Sequence, residues 1–238
     1  MSWKRKLHVG ASKLHKWLAL IIGVQLLIWF ASGTIMSWLP IEQVRGEHLI
    51  DREQMVDLRR ADEFVSMAAL LTQVDKPVGS IDLRMIGGRS VAIVKTADSE
   101  LAFDARTGQR LPAIDLSQAQ AIARSAWIGP QPFPATSGSL IASNSVEYRG
   151  ALPAWRLDLR DAENTRVYVA AATGRITGVR TGTWRLYDFF WALHIMDWTD
   201  HEDFNTPWLL AFAIGGLALA LAGTTLLVLR WPIRRRKR

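Results

Sequence analysis

Two long apolar stretches without a charged residue, 17–39 and 207–229, constrain this chain more than any other feature of its sequence. At about 1.5 Å of rise per residue, each is long enough to cross a hydrocarbon core of roughly 30 Å as a helix. A signal peptide also begins with basic and then apolar residues. The first stretch exceeds the usual apolar length of about 7 to 15 residues, and no convincing cleavage site follows Trp38. We therefore predict two transmembrane helices.

The charges beside the two stretches predict their orientation. Lys and Arg residues cluster at 4–16, before the first stretch, and at 230–238, after the second. Because basic residues close to a span stay on the cytoplasmic side, both termini should be cytoplasmic and residues 40–206 should lie outside. Tryptophans at the boundaries agree, since their rings prefer the membrane interface. They are Trp17 and Trp231 on the inner side, and Trp38 and Trp208 on the outer side.

The net charge of +7 does not indicate a nucleic-acid partner. It comes from the basic residues at the two ends, for which topology and contact with membrane lipids are a sufficient explanation. The chain has no cysteine, which excludes thiolate metal sites, disulfides and thiol catalysis. It also has no Walker loop, dinucleotide fingerprint or zinc-protease helix motif. Chemistry would therefore have to use histidines, carboxylates or a bound cofactor.

The central region contains an internal repeat. Residues 101–109 align with 167–175, and each copy alternates apolar with small or polar residues before reaching Thr-Gly. This pattern predicts a half-buried strand that ends in a turn where glycine adopts a positive φ. A candidate helix precedes each copy, at 61–73 and at 117–127. Further strands are predicted at 80–85, 90–96 and 154–160, while 129–150 is predicted as loop with at most a short strand at 143–148.

In combination, several short motifs resemble the PepSY-domain membrane proteins with PepSY-associated transmembrane helices. They are Leu14-His15-Lys16-Trp17-Leu18, Ser32-Gly33-Thr34, the two Thr-Gly turns, Leu193-His194, Gly223-Thr224 and Arg230-Trp231. The resemblance implies an α+β membrane protein of the bacterial inner membrane. Two transmembrane helices would flank a periplasmic domain of two PepSY-like repeats, each a helix on a small antiparallel sheet.

This organisation divides the chain into seven segments. They are a basic cytoplasmic N-terminus (1–16), the first transmembrane helix (17–39), the first repeat (40–114), the second repeat (115–183), an amphipathic interfacial segment (184–206), the second transmembrane helix (207–229) and a basic cytoplasmic tail (230–238).

The resemblance also suggests a cofactor. Larger relatives include ferric-siderophore reductases that look like di-haem proteins with axial histidines near the membrane faces, and His15 and His194 would inherit the ligand role for haem b. The two lie at opposite faces, so they cannot ligate one haem. His8, one heptad before His15, and His201 are further candidates. A parallel homodimer or a partner membrane subunit would supply the missing ligands. Contact with lipid headgroups explains either histidine equally well.

The residues just before the second apolar stretch are acidic. Carboxylates with one imidazole suit a hard metal ion, or could orient His194 as outer hydrogen-bond acceptors. A solvated acidic turn is the plainer interpretation. The candidate metal ligands are Asp197, Asp200, His201, Glu202 and Asp203.

Two functional hypotheses remain open. In the first, the protein is a b-haem electron-transfer subunit that assists reduction and uptake of ferric iron or siderophores, as a component of a haem-dependent ferric reductase. In the second, it is a non-enzymatic PepSY accessory protein that binds a periplasmic partner through a sheet edge or supports a transporter.

Overall fold

The computed structural model describes residues 3–54, 56–57, 59 and 63–230, with the backbone alone for 3–8, 11, 229 and 230. The predicted tail after Arg230, with Trp231, and the first two residues of the predicted helix 61–73 lie outside the described residues. The chain forms two compact units. One consists of the two ends, Met1–Trp38 and Tyr187–Arg238, and the other is the central region Leu39–Leu186.

The unit formed by the two ends contains two long helices, α1 (Trp3–Trp38) and α6 (Pro207–Arg230). Their membrane-length segments are Ser12–Trp38 and Pro207–Val228, and only 11% of the most apolar window in each is buried. A core helix of a soluble protein would be mostly buried, whereas here large apolar side chains such as Leu27, Phe30 and Val228 face outward. The two predicted spans are thus confirmed as apolar helices suited to lipid.

The first repeat of the central region is a short helix on a three-stranded antiparallel sheet. It follows a single turn, α2 (Ile41–Val44), and comprises α3 (Met67–Leu71), β1 (Val78–Ile86), β2 (Arg89–Thr96) and β3 (Glu100–Asp104), in the order β1-β2-β3. Gly87 and Gly88 both have positive φ and close the two-residue hairpin between β1 and β2. Leu70 of α3 packs with Ala92, Val94 and Phe103 of the sheet.

The predicted helix 61–73 is wrong in length. Within the described residues it is reduced to the five residues of α3. The Val65 N–H donates to the Ala105 carbonyl just after β3, so the backbone at Val65 pairs with that segment instead of forming a helix. Ser66 is then extended and its hydroxyl accepts a hydrogen bond from the Ala69 N–H, so the helix can begin only at Met67.

The second repeat is a longer helix on a four-stranded antiparallel sheet. It comprises α4 (Leu116–Ser125), β4 (Thr136–Ile141), β5 (Ala154–Leu159), β6 (Arg166–Ala170) and β7 (Ile176–Arg180), in sequence order. Asp115 and Gln118 form a reciprocal capping box that starts α4. Ala119 and Ala123 of α4 are fully buried against the sheet. Helix α5 (Gly182–Ile195) follows β7.

The prediction that 129–150 is loop with at most a short strand at 143–148 is wrong. The strand in this region is β4, at Thr136–Ile141, and it lies before the expected position. Residues Ser145 and Tyr148 form only an isolated bridge. The sequence Thr-Ser-Gly-Ser carries no alternating apolar pattern. Gly138 brings the strand close to α4, where an added Cβ would lie 2.3 Å from Leu116 Cδ1.

The predicted repeat is confirmed at its two Thr-Gly turns. Gly108 has φ +73° and Gly174 has φ +75°. In each turn the glycine N–H donates to the carbonyl of the residue four positions earlier, Asp104 or Ala170. The N–H of that earlier residue donates to the carbonyl that follows the glycine. The same hydrogen bonds at the same spacing show that the two copies share one local fold.

A partly buried ion cluster joins the second sheet to the start of α5. Glu147 Oε2 lies 2.6 Å from Arg166 Nη1 and Oε1 lies 2.8 Å from Arg185 Nε. The Tyr168 hydroxyl donates to the same carboxylate at 3.2 Å. Burial raises the pKa of Glu147, but the hydrogen bonds from Arg185 and Arg166 outweigh that effect, so its pKa lies below the ordinary value of 4.5.

We expect Glu147→Gln to lower the free energy of unfolding of the central region by about 1–3 kcal/mol, because two arginines lose a charged acceptor. Since the folded-state pKa is lowered, this contribution is complete above pH 4.5 and disappears as the pH falls through the folded-state value. Hydrogen exchange of the β6 amides in the full chain measures both effects.

Lys76→Gln is the matched control, because the Lys76–Asp98 pair is exposed at 59% and 69%. It should change stability by less than about 0.5 kcal/mol. An equal loss in both variants would contradict a special role for the Glu147 cluster.

Candidate functional site

Glycines of α6 bring that helix close to α1 within one chain. A Cβ at Gly215 would lie 2.6 Å from Ile22 Cδ1, and a Cβ at Gly223 would lie 3.1 Å from His15 Cε1. Gly216 faces Leu26 in the same way. Small residues of this kind allow close approach either of a second copy or of another helix of the same chain. The structure uses them within the chain.

His15 of α1 is held by the backbone of α6. Its Nδ1 lies 3.3 Å from the Leu219 carbonyl oxygen. A carbonyl only accepts, so Nδ1 carries a proton and donates it, and in the neutral ring the lone pair is on Nε2. The carbonyl has a second lone pair for its own helix bond. Gly223 lies one helical turn beyond Leu219 and leaves the space that the imidazole fills.

His194, near the end of α5, is held by α1. Its Nδ1 lies 3.0 Å from Ser32 Oγ, and the Ser32 hydroxyl donates its proton to the Trp29 carbonyl at 3.1 Å. Because that proton is already used, Ser32 accepts from the imidazole, and in the neutral ring the lone pair of His194 is again on Nε2. Gly33 lies beside the ring, where an added Cβ would meet Cε1 at 3.4 Å.

The imidazoles of His15 and His194 contact α6 and α1, respectively, at well-separated positions along the helix axis. Ser32, which holds His194, follows His15 by 17 residues on α1. At 1.5 Å per residue the two anchors are about 25 Å apart along the helix axis. One porphyrin therefore cannot be ligated by both side chains, in agreement with the sequence prediction.

His15 and His194 each provide one of the two ligands that a bis-histidine haem b requires. A neutral imidazole with Nδ1–H held by an acceptor and Nε2 free is the arrangement that metal-ligating histidines use. The Trp29 indole Nε1 is buried without a hydrogen-bond partner among the described residues, and its ring lies 6.5 Å from that of His194. The donor set fits an axial ligand at each place, one imidazole per haem. The side chain of His8 lies outside the described residues.

The acidic segment before α6 is a structured turn. Asp197 is only 6% exposed, and its carboxylate accepts hydrogen bonds from the backbone N–H groups of Thr199, Asp200, Glu202 and Asp203. The bond from Asp203 and those from the other amides hold the pKa of Asp197 at about 2. This carboxylate organises the turn that enters α6.

His201 of the same turn pairs with a residue that the sequence did not single out. Its Nδ1 lies 2.7 Å from Asp188 Oδ2 of α5, and its carbonyl accepts from the Trp191 indole. Across the described part of the chain, no three His, Asp or Glu side chains come together as a metal site. The predicted set of Asp197, Asp200, His201, Glu202 and Asp203 thus has no geometric support there.

Sequence reasoning missed the residues that hold the imidazoles. Ser32 appeared only as part of a motif, and the Leu219 carbonyl carries no side-chain signal at all. Ser32 could have been singled out, because a hydroxyl within an apolar span needs a partner and so indicates a nearby polar group. Asp188 could not, since its partner His201 lies 13 residues away across a turn.

A comparison with protein families identifies the chain. The model of the PepSY-associated TM region matches residues 12–238, which include both membrane helices and the whole central region. This chain belongs to the PepSY-associated TM region family. No curated protein and no solved structure shows significant similarity to it. The predicted PepSY membrane protein is confirmed, while haem, iron and a redox reaction remain outside what the family match describes.

The absence of native cysteine allows the α1–α6 contact to be tested by cross-linking. Ile22→Cys with Gly215→Cys should form an intramolecular disulfide in membranes under mild oxidation, since a Cβ at 215 would lie 3.1 Å from Ile22 Cγ1. A monomer without free thiols on a non-reducing gel is the expected result.

Leu20→Cys with Leu217→Cys is the control, because both side chains face outward at 68% and 62% exposure. It should give no intramolecular disulfide. A cross-linked dimer from the Ile22 and Gly215 pair would show that this glycine face packs a second copy instead.

Proposed function

We propose that this PepSY membrane protein is a b-haem-binding electron-transfer subunit of the bacterial inner membrane. It would assist the reduction of ferric iron or ferric siderophores during uptake. One observation carries the proposal: His15 and His194 each donate Nδ1–H to an acceptor within the apolar helical unit and keep Nε2 free. Two imidazoles with Nδ1–H held by an acceptor, at two positions along the membrane helices, suit ligation of two haems better than contact with lipid headgroups.

The chain's own residues would bind and orient the cofactor. His15 would supply one axial nitrogen and His194 another, while haem supplies one-electron transfer when bound. The second axial ligand at each place would come from a second copy or a partner membrane subunit, since the described part of one chain offers one imidazole per place. Leu219, whose carbonyl holds the His15 ring, is itself buried at 8% exposure.

The orientation in the membrane belongs to the same proposal. The basic residues at 4–16 and 230–238 favour cytoplasmic termini and a periplasmic central region. A reporter fused after Arg238 should be active only as a cytoplasmic enzyme. One inserted after Asn144, in the exposed loop that follows β4, should be active only in the periplasm. The opposite pair of results would overturn the orientation.

The haem proposal predicts an absorption spectrum. Membranes that contain the overexpressed protein should show a reduced-minus-oxidised Soret and α-band signal, and His15→Ala and His194→Ala should each remove one of the two haem components. His48→Ala is the control. His48 pairs with Glu163 at 2.9 Å in the central region and should leave the signal intact.

A colourless, well-folded protein produced with an adequate haem supply would overturn the electron-transfer proposal. It would leave the accessory protein, which binds a periplasmic partner through a free edge such as β1 or β4, as the remaining hypothesis.

A further inference from the structure

Ser32 is a buried polar residue in an apolar helix. It is 1% exposed, although it lies within the membrane-length segment Ser12–Trp38. A hydroxyl in such a place is costly unless its hydrogen-bonding capacity is used. Ser32 uses it twice, as donor to the Trp29 carbonyl and as acceptor from the His194 imidazole. Its second contact joins α1 to α5.

That second contact has consequences for the imidazole. A ring held at Nδ1 cannot rotate freely about its Cβ–Cγ bond, and its proton stays on the nitrogen that faces the acceptor. Gly33 limits the same ring from the side, because Cε1 lies 3.4 Å from the position of an added Cβ. Ser32 and Gly33 together therefore define where the free Nε2 of His194 points.

We propose that Ser32 is the positioning residue of His194, and that its hydroxyl sets the tautomer and the ligand strength of that imidazole. The effect on ligand strength rests on the proposed haem function. The contact between Ser32 and His194 is present in the protein without haem. The two histidines differ in this respect. The acceptor for His15 is the Leu219 carbonyl, which no side-chain substitution removes, whereas the acceptor for His194 is a side chain.

Ser32→Ala should weaken haem binding at His194 and leave haem binding at His15 unchanged. Loss of an outer hydrogen-bond partner typically weakens metal binding or activity about 10- to 100-fold, so haem at His194 should be retained at least about tenfold less tightly. Its midpoint potential should shift while that of the haem at His15 stays constant. Ser32→Thr keeps the hydroxyl and should restore both properties.

The apoprotein provides a readout that does not depend on haem. Selective ¹⁵N-histidine NMR of the full chain in detergent should show His194 with Nδ1 protonated, a changed pattern in Ser32→Ala, and recovery in Ser32→Thr. The His15 signals should not move in any of the three proteins. Equal thermal stability of Ser32→Ala and Ser32→Thr would separate positioning from general packing.

The outcomes separate this inference from the haem proposal. An unchanged His194 tautomer in Ser32→Ala, or an imidazole whose proton is already on Nε2 in the unaltered protein, would overturn the role of Ser32. Unchanged haem retention and potential in Ser32→Ala would do the same. A colourless unaltered protein would overturn the haem function instead, and the NMR result would still decide whether Ser32 positions His194.

Discussion

The close approach of α1 and α6 is the contact on which the helical unit depends. Lipid provides no hydrophobic force between two apolar helices, so their association relies on backbone proximity and on hydrogen bonds between them. Gly215 supplies the first at Ile22, and Gly223 makes the second possible by leaving room for His15 at the Leu219 carbonyl. The same glycine stripe therefore packs the helices and orients an imidazole.

The central region follows a different principle. Each repeat buries one face of a small antiparallel sheet against its own helix, and the second repeat has the larger core because α4 is a full ten-residue helix with a capping box. Alanines at 119 and 123 allow α4 to lie close to β5 and β6. In the first repeat α3 has five residues, of which Leu70 is buried against the sheet. The two repeats therefore share a pattern but differ in how much of the sheet a helix buries.

Some of this could be predicted from the sequence because the signals are local. Apolar length predicts the two spans, and the strand followed by Thr-Gly predicts both turns, since a positive φ at Gly108 and Gly174 depends on neighbouring residues alone. The features that were missed depend on distant partners. The Val65 N–H donates to the Ala105 carbonyl, Gly138 packs against Leu116, and neither relation is visible as periodicity. The acceptors of His15 and His194 could not be predicted for the same reason, because they lie on other helices.

The use of the glycine stripe within one chain restricts how a second copy could approach the helical unit. Gly215, Gly216 and Gly223 already contact α1, so a second chain cannot approach through them without separating the two helices. It must approach from the outward sides, which carry residues such as Leu27 and Leu217, and where Gly23 has nothing within 4 Å of an added Cβ. Under the haem proposal, a second copy that supplies a ligand would therefore have to reach His15 or His194 from these outward sides.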